Sequence, residues 1–400
     1  MGEKIAMGFH TCVDYELMWD TEVVESLIRE FDIHDEELSV SIKLDSERSV
    51  LIACLAFFRD GIGTEMVPEN PRICNDFANH FAYKVTIGGT AARAAIAISA
   101  LGYGSALQMC CYNEHIRRLL PKQVQSFSSV GKDHTDVYPH VVLQCRKGVH
   151  IRANDIDFVT PRENRVMISR DLDSLQMKVS LDFAPEVRDA EVFLLSCFSE
   201  VLDEGILTDR MEKTRQLLSH LPQQALVVME DGHYVRKGFR QFVHRELQPV
   251  LDVLSMNEDE MQSYIGKRID ILDPEEVLSA LKYVQEGTGV PTIIVHSSRW
   301  ALAYGERCGI MHKALEGGIT MSATRFRCGD DLDAREYAAT QQIEDSREGR
   351  IFCAALRERA GDSAVCLPCK DLSFVKNPTV VGLGDSFAGG LLPGLLVENR

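Results

Sequence analysis

The sequence lacks any apolar run long enough to cross a membrane as a helix, so we expect no membrane partner. It also lacks a recognisable secretory signal, because the N-terminal stretch MGEKIAMGFHTCVDYELMWD becomes acidic too early. No internal repeat, heptad pattern or low-complexity tract is evident. These absences predict a globular protein of the cytoplasm.

Basic residues are too few for a nucleic-acid surface. The 400 residues include 43 Lys and Arg against 60 Asp and Glu, which gives a formal net charge of -17. Because binding to a phosphate backbone requires clustered Lys and Arg, we expect no nucleic-acid partner. A small phosphate compound needs only one local electropositive pocket, so the charge does not exclude such a ligand.

The twelve cysteines show no spacing typical of a zinc site. Most lie in apolar contexts, such as Cys54 in LIACLAFF, where a thiol behaves as a small hydrophobic group. Cys366 and Cys369 form a close pair, but no second pair or His partner accompanies them at zinc spacing. A thiol oxidoreductase using this pair is an alternative that would require a thiol of low pKa.

Short apolar runs alternate with amphipathic segments in the second half of the chain. The runs typical of strands buried on both faces of a parallel sheet are residues 190–197, 224–230, 251–257 and 291–297. The helix-like segment over 273–287 begins with Asp-Pro-Glu-Glu and stops at Gly287. This alternation predicts an α/β fold with a doubly wound, mostly parallel sheet and helices on both faces.

Two regions depart from this alternation. Residues 14–84 are largely charged and irregular, and residues 140–169 alternate apolar and polar as half-exposed antiparallel strands do. We expect both to contribute to a smaller α+β lid that binds sugar. Residues 1–13, 85–139 and 170–400 would then form the large nucleotide-binding domain. A lid suits phosphoryl transfer because the reaction must exclude water.

The stretch TVVGLGDSFAGGLLPGLL places one carboxylate, Asp385, at the start of an apolar helix. A strand that ends in a glycine turn and opens a helix directs several N–H groups and the helix dipole at one point, which can hold an anion. An aspartate there can accept a proton from a hydroxyl that attacks a phosphoryl group. Alternatively, Gly382 and Gly384 only permit a tight turn, and Asp385 caps the helix.

Polar residues also follow the predicted strands, where open α/β sheets bind ligands. These residues are Glu230, Asn257, Glu258, Glu260 and His296. Carboxylates at such a point can bind Mg²⁺, which neutralises phosphates. Residues 257–260 could instead form only the first turn of the next helix.

Two further stretches indicate a binding site. In KVTIGGTAARAAIAISALGYG a strand enters Gly88 and Gly89, and these small residues permit either close approach of a ligand or close packing of helix and sheet. IAMGFHTCVDYE predicts a first strand that ends near Asp14. The Asp14 carboxylate could accept hydrogen bonds from sugar hydroxyls, or it could lie in an exposed loop.

In this order the motifs resemble the ADP-dependent glucokinase/phosphofructokinase family, within the ribokinase-like superfamily. GFHTCVD is similar to the family's G-Y-N-T-N-I-D, IGGTAA to its I-G-G-Q-A-G, and VVGLGDS to its V-G-L-G-D. The similarity continues through PRENRVMIS, LLSCFSE, VVMED, SMNEDE and IIVHSS, so it spans nearly the whole chain.

The resemblance implies a Mg²⁺-dependent kinase that transfers a phosphoryl group from ADP to a hydroxyl of a hexose or hexose phosphate, as a monomer or small homo-oligomer. It implies that Asp385 is the base and that the amides of Gly382, Leu383 and Gly384 form an anion hole. The other implied residues are Asp14, Glu65, Gly88, Gly89 and Thr90 for the sugar, Asn257 and His296 for the nucleotide, and Glu230 and Glu260 for Mg²⁺.

The sequence departs from the family pattern at Cys12, Thr90 and Val228, where the family has asparagine, glutamine and histidine. GDSFAGGLLPGLL is also more similar to ATP-dependent sugar kinases. The alternatives are therefore an ATP-dependent ribokinase-like sugar kinase and a non-catalytic sugar or nucleotide sensor on the same fold. Asp385 argues against the sensor, because a protein that only binds needs no base.

Overall fold

The computed structural model describes residues 4–131, 133–376 and 378–397. Within these ranges the strands form two main sheets and a separate hairpin. In chain order the strands are β1 (Ile5–Gly8), β2 (Cys12–Leu17), β3 (Thr64–Met66), β4 (Tyr83–Gly88), β5 (Ser105–Met109), β6 (Val124–Ser128), β7 (His140–Cys145), β8 (His150–Ala153), β9 (Ile156–Val159), β10 (Asn164–Ile168), β11 (Val192–Ser196), β12 (Leu226–Glu230), β13 (Val253–Asn257), β14 (Thr292–His296), β15 (Trp300–Gly305) and β16 (Ala364–Pro368).

Helices connect and cover the sheets. They are α1 (Thr21–Glu30), α2 (Glu47–Asp60), α3 (Pro71–Ala78), α4 (Thr90–Ser99), α5 (Glu114–Leu119), α6 (Leu172–Gln176), α7 (Ala184–Val187), α8 (Glu204–Leu218), α9 (Phe239–Leu247), α10 (Glu258–Ile265), α11 (Pro274–Thr288), α12 (His312–Cys328), α13 (Ala334–Gln341), α14 (Arg347–Ala360) and α15 (Leu383–Gly394). Among the described residues, no helix combines the length and apolar character needed to cross a membrane.

The large sheet has nine strands in the order β16-β15-β14-β13-β12-β11-β1-β5-β6. Neighbouring strands from β14 to β6 are parallel, whereas β15 and β16 pair antiparallel at one edge. From β1 the chain continues to β5 on one side and later to β11 on the other, which makes β1 a topological switch point. This sheet confirms the predicted α/β fold.

Both faces of the large sheet are buried. Met7 of β1 and Leu194 of β11 belong to one hydrophobic core, while their chain neighbours Ala6 and Phe193 belong to a second core on the opposite face. Since successive side chains of a strand point to opposite faces, each strand must be apolar at every position. This is why the four apolar runs read from the sequence do form β11 to β14.

Helix α11 follows its predicted boundary signals at the start but not at the end. The Asp273 side chain accepts hydrogen bonds from the amides of Glu275 and Glu276, and Pro274 occupies the first helical position. The helix continues through Gly287 to Thr288, because it is Gly289, with a φ of 68°, that supplies the left-handed cap.

The small sheet has the order β3-β10-β7-β2-β4, and β8 and β9 form the separate hairpin. The antiparallel pairs β7–β10 and β8–β9 account for the alternating pattern over residues 140–169. Strand β4 also belongs to this sheet, pairing with β2. The small sheet therefore supplies a second wall facing the switch point.

The prediction of a single first strand ending near Asp14 was wrong. The chain instead forms β1 in the large sheet and β2 in the small sheet, and Asp14 lies inside β2 between β4 and β7. Its residue exposure is 6%, so it does not lie in an exposed loop either. The change of sheet between Gly8 and Cys12 has no strong turn signal in the sequence.

The strand predicted before the final glycine turn is also absent, since the described residues 378–381 are irregular. The backbone of this segment bonds to α12 rather than to a strand. Thr379 N–H donates to the carbonyl of Phe326 (3.0 Å), and Arg325 Nε donates to the carbonyl of Val381 (2.8 Å). β-Branched residues favour a strand only where a partner strand is available.

Helix α15 is buried because it packs between α4 and α12. A Cβ added to Gly389 would lie 2.9 Å from Ala94 Cα, and one added to Gly390 would lie 2.4 Å from the Gly317 carbonyl oxygen. Such distances exclude larger side chains at both positions. The uncharged AGGLLPG sequence therefore lets the helix approach its neighbours closely while its first turn faces the switch point.

A charged contact links the small sheet to α12, and it generates a testable pH dependence. Asp330 forms ion pairs with Lys84 of β4 and with Arg325 of α12. Burial alone would raise the pKa of Asp330, but the bonds from Lys84 and Arg325 lower it to about 2. A lowered pKa in the folded state stabilises the protein above the unfolded pKa, and this contribution is lost as the pH falls through the folded pKa.

We expect Asp330→Asn to lower the free energy of unfolding at pH 6 by about 1 kcal/mol, a value reduced for solvent screening of a partly exposed pair. The difference from the unchanged protein should shrink between about pH 4 and pH 2. Thermal unfolding across this range measures it, with Asp331→Asn at the exposed neighbouring position as the control. A difference that stays constant with pH would contradict the assignment.

Candidate active site

A cavity of about 440 Å³ lies where the carboxyl ends of β1 and β11 to β14 face the small sheet. Its wall contains every predicted site residue except Gly88 and Glu258, and Glu258 lines a second cavity described below. These wall residues are Asp14, Glu65, Gly89, Thr90, Glu230, Asn257, Glu260, His296, Gly382, Leu383, Gly384 and Asp385. The fold thus brings together residues that are up to 371 positions apart in the chain, from Asp14 to Asp385.

Gly88 lies just behind this wall. A Cβ there would be 2.3 Å from Asp14 Oδ1, and one on Gly89 would be 2.5 Å from the carbonyl oxygen of His10. Gly89 also has a φ of 88°, which favours glycine. Close packing within the protein therefore explains both glycines, and it holds the start of α4 against β2.

A second cavity of about 620 Å³ adjoins the first and shares Asn257, His296, Leu383 and Gly384 with it. Its other wall residues include Arg299, from the turn after β14. The first turn of α15 therefore stands at the junction of the two cavities. Two ligands bound on either side would meet at this helix terminus.

The start of α15 has the features of an anion site. Gly382 is the N-cap, with a φ of 71°, and no side chain caps the helix, so its first amides are not used by a capping group. Asp385 is the third helical residue, which excludes the interpretation that it is the cap itself. A Cβ on Gly382 would lie 2.7 Å from Arg93 Nη1 and 3.3 Å from Arg325 Nε.

The Asp385 carboxylate is held in place from two sides. Thr90 Oγ1 donates a hydrogen bond to Asp385 Oδ1 (2.7 Å), and Arg93 Nε lies 3.7 Å from Asp385 Oδ2. The side chain remains 24% exposed, toward the cavity. An oriented carboxylate that still faces the cavity can accept a proton from a bound hydroxyl.

Asp14 shares the same arginine. Arg93 Nη2 donates to Asp14 Oδ2 (2.6 Å), and both side chains are only 8% exposed. Burial alone would raise the pKa of Asp14, but the charges of Arg93 and His140 outweigh it and hold the pKa below its usual range. Asp14 is therefore an ionised, accepting group in the wall of the first cavity.

Several buried carboxylates lie close to one another where β12 and β13 end. Glu230 Oε1 is 3.0 Å from His296 Nε2, while Glu230 Oε2 is buried without a hydrogen-bond partner in the described structure. Burial, together with the charges of Asp231 and Glu230, raises the pKa of Glu260 to about 8. A buried carboxylate oxygen without a partner, beside other acidic groups, is the environment that a divalent cation would stabilise.

Asn257 and Glu260 do belong to the start of α10, which was the alternative to a ligand-binding role for residues 257–260. Asn257 Oδ1 accepts from the amide of Glu260 (2.8 Å), and Glu260 Oε2 accepts from the amide of Asn257 (2.9 Å). This reciprocal pair is a capping box. Since both residues also line the cavity, the cap fixes their side chains at its wall.

Sequence reasoning missed Arg93, whose guanidinium contacts both Asp14 and Asp385. The available signal was one charge inside the apolar stretch TAARAAIAIS, three residues after Thr90 and so on the same face of α4. His10 and His140 were also missed, although both line the cavity. No local pattern could have paired them, because they are brought together only by the small sheet.

A third cavity of about 780 Å³ opens beside Glu65. Its wall contains the cationic residues Arg146, Arg165 and Lys376 together with Glu65 and Glu163. Arg165 Nη2 lies 3.9 Å from Glu65 Oε1. Glu65 lines both the first and the third cavity.

The family model described as the conserved region of ADP-specific phosphofructokinase/glucokinase matches residues 3–336. Comparison with curated protein sequences gives no significant match.

Solved structures with the same fold are similar along the whole chain. A phosphofructokinase from Pyrococcus horikoshii OT3 with AMP has a TM-score of 0.79 and 16% identity, covering 98% of both chains. An ADP-dependent kinase in complex with fructose-6-phosphate and ADPβS has a TM-score of 0.72 and 13% identity, covering 99% of this chain and 94% of the other. With a family model that matches most of its length, this chain belongs to the ADP-specific phosphofructokinase/glucokinase family.

Proposed function

We propose that this protein is a Mg²⁺-dependent kinase that transfers the terminal phosphoryl group of ADP to a hydroxyl of a hexose or hexose phosphate. The observation that carries the proposal is the position of Asp385. It lies with the uncapped start of α15 at the junction of two cavities, where a sugar and a nucleotide would meet. Phosphoryl transfer needs an aligned acceptor and a site for the charged phosphoryl group.

Asp385 is the base in this mechanism. The sugar hydroxyl loses its proton to Asp385 as its oxygen bonds to the β-phosphorus of ADP, and the bond from that phosphorus to the bridging oxygen breaks to release AMP. Thr90 orients the carboxylate through its hydrogen bond. The amides of Leu383 and Gly384 and the dipole of α15 stabilise the charge on the transferred group.

Glu230 and Glu260 are the residues that would hold Mg²⁺, with Asn257 fixing the position of Glu260. The unpartnered Glu230 Oε2 supports this assignment, because a buried carboxylate oxygen is costly without a cation or a donor. When bound, the ion neutralises phosphate charge and helps to orient the nucleotide. His296 and Asn257 are the proposed nucleotide contacts, since they line both cavities.

The sugar would bind at the other end of the first cavity, between Asp14 and the start of α4. An ionised Asp14 accepts hydrogen bonds from hydroxyl groups, and Arg93 keeps it ionised. The small sheet above this end excludes water from the reacting groups. Glu65 disfavours a phosphate group close to it, whereas Arg146, Arg165 and Lys376 of the third cavity favour one, so the substrate class depends on the Glu65 carboxylate.

We expect Asp385→Asn to reduce kcat by about 10²–10⁴-fold, the usual contribution of a general base. ADP affinity, measured by calorimetry, should remain nearly unchanged because the amide start of α15 is retained. Asp76→Asn, at an exposed position on α3, is the matched control and should retain full kcat. A variant at position 385 that keeps most of its kcat would contradict the mechanism.

The Glu65→Gln variant tests whether the charge of Glu65 decides between free hexoses and hexose phosphates. Removing this charge should raise kcat/KM for hexose phosphates relative to free hexoses by about tenfold, or roughly 1.4 kcal/mol of relieved repulsion. Steady-state kinetics with each sugar and its phosphate measure the ratio in one enzyme preparation, so each variant is its own control for folding. An unchanged ratio would show that Glu65 does not face the phosphate position.

A further inference from the structure

Three buried side chains near Asp14 have no role in the proposed kinase chemistry. His10 precedes β2, Cys12 begins β2, and His140 begins β7. Their exposures are 3%, 2% and 3%. One potential ligand atom from each lies within 4.8 Å of those of the other two. This His10–Cys12–His140 cluster lines the first cavity.

The hydrogen bonds of His10 leave one of its ring nitrogens available. Ser174 Oγ donates to Asp171 Oδ2 (2.6 Å), so the Ser174 oxygen is the acceptor in its 2.7 Å contact with His10 Nε2. Nε2 of a neutral His10 therefore carries the hydrogen, and Nδ1 carries a lone pair. His10 Nδ1 is buried and has no hydrogen-bond partner in the described structure. A histidine fixed in this way by an outer hydroxyl and carboxylate is typical of metal ligands.

His140 lies beside the same thiol. His140 Nε2 is buried and meets no hydrogen-bond geometry with a described residue, and its ion-pair partner is Asp171 Oδ2 at 3.4 Å. The buried His10 Nδ1 without a partner is costly unless something binds it. Asp171 is linked to both histidines. It lies beside His140, and it accepts the hydrogen bond of the Ser174 hydroxyl that contacts His10.

The charges around Cys12 favour a cation over a free thiolate. Cys12 Sγ donates to Asp14 Oδ1 (3.4 Å), and a second carboxylate, Asp171, lies 3.4 Å from the ring of His140 in the same cluster. A cation that binds sulfur would displace the thiol proton and at the same time offset the neighbouring carboxylates.

We propose that His10, Cys12 and His140 form a binding site for a soft divalent cation of the Zn²⁺ class. Two imidazoles and one thiolate are donors that suit Zn²⁺ and Co²⁺, whereas Mg²⁺ takes oxygen ligands. The site is thus chemically distinct from the proposed Mg²⁺ site, and its occupancy can be measured without any turnover.

The test is metal binding by the full-length protein after treatment with a chelator. Equilibrium dialysis against Zn²⁺ in excess Mg²⁺, followed by metal analysis, should give a single Zn²⁺ per chain. Protein loaded with Co²⁺ should show a thiolate-to-cobalt charge-transfer band. Cys12→Asn, which introduces the residue of the family motif, and His140→Gln should each lose the stoichiometric metal, and Cys12→Asn should lose the band. Cys328→Ser, at a partly exposed thiol at the end of α12, should retain both.

Failure of the unchanged protein to bind Zn²⁺ stoichiometrically would overturn the proposal. So would binding that persists in Cys12→Asn, or a Co²⁺ complex of the unchanged protein without a thiolate band. The last result needs no variant, so it applies even if a substituted chain does not fold. Circular dichroism and cooperative thermal unfolding identify variants that fold, and only those enter the comparison of stoichiometry.

Discussion

The buried guanidinium of Arg93 is the interaction on which both halves of the site depend. It binds Asp14, approaches Asp385 at the helix terminus, and occupies the space that a side chain on Gly382 would need. Removing one partner from a buried ion pair typically costs about 3–5 kcal/mol, because the other charge is left unpaired. Arg93 therefore couples the position of Asp14, the proposed sugar ligand, to that of Asp385, the proposed base.

This arrangement explains the local sequence around it. Arg93 lies on a helix otherwise made of small and apolar residues, because α4 packs against α15 closely enough that Gly389 meets Ala94. Gly382 is needed both for its positive φ and for the space that Arg93 fills. A larger side chain at Gly382 or Gly389 would push α15 away from α4 and would also displace the proposed anion site at its start. Close packing and the proposed anion site therefore constrain the same residues.

The sequence was sufficient for the large sheet and for most of the site wall. Strands β11 to β14 are buried on both faces, so their apolar runs are unambiguous, and the polar residues that end them had to meet at one edge. The sequence was insufficient where the contacting residues are distant in the chain. Asp14 was misplaced because the chain changes sheets after Gly8. The segment before Gly382 was predicted as a strand, but it bonds to α12. The contacts of Arg93, His10 and His140 arise only when the two sheets come together in the folded structure.

We propose that the phosphoryl group of ADP is transferred where the two cavities adjoin at the start of α15, beside Asp385. The most direct test is mass spectrometry of the protein incubated with Mg²⁺, either ADP or ATP, and a panel of hexoses and hexose phosphates. We expect a phosphorylated sugar formed together with an equal amount of AMP when ADP is supplied. Product with ATP alone, or nucleotide binding without product from any sugar in the panel, would contradict it.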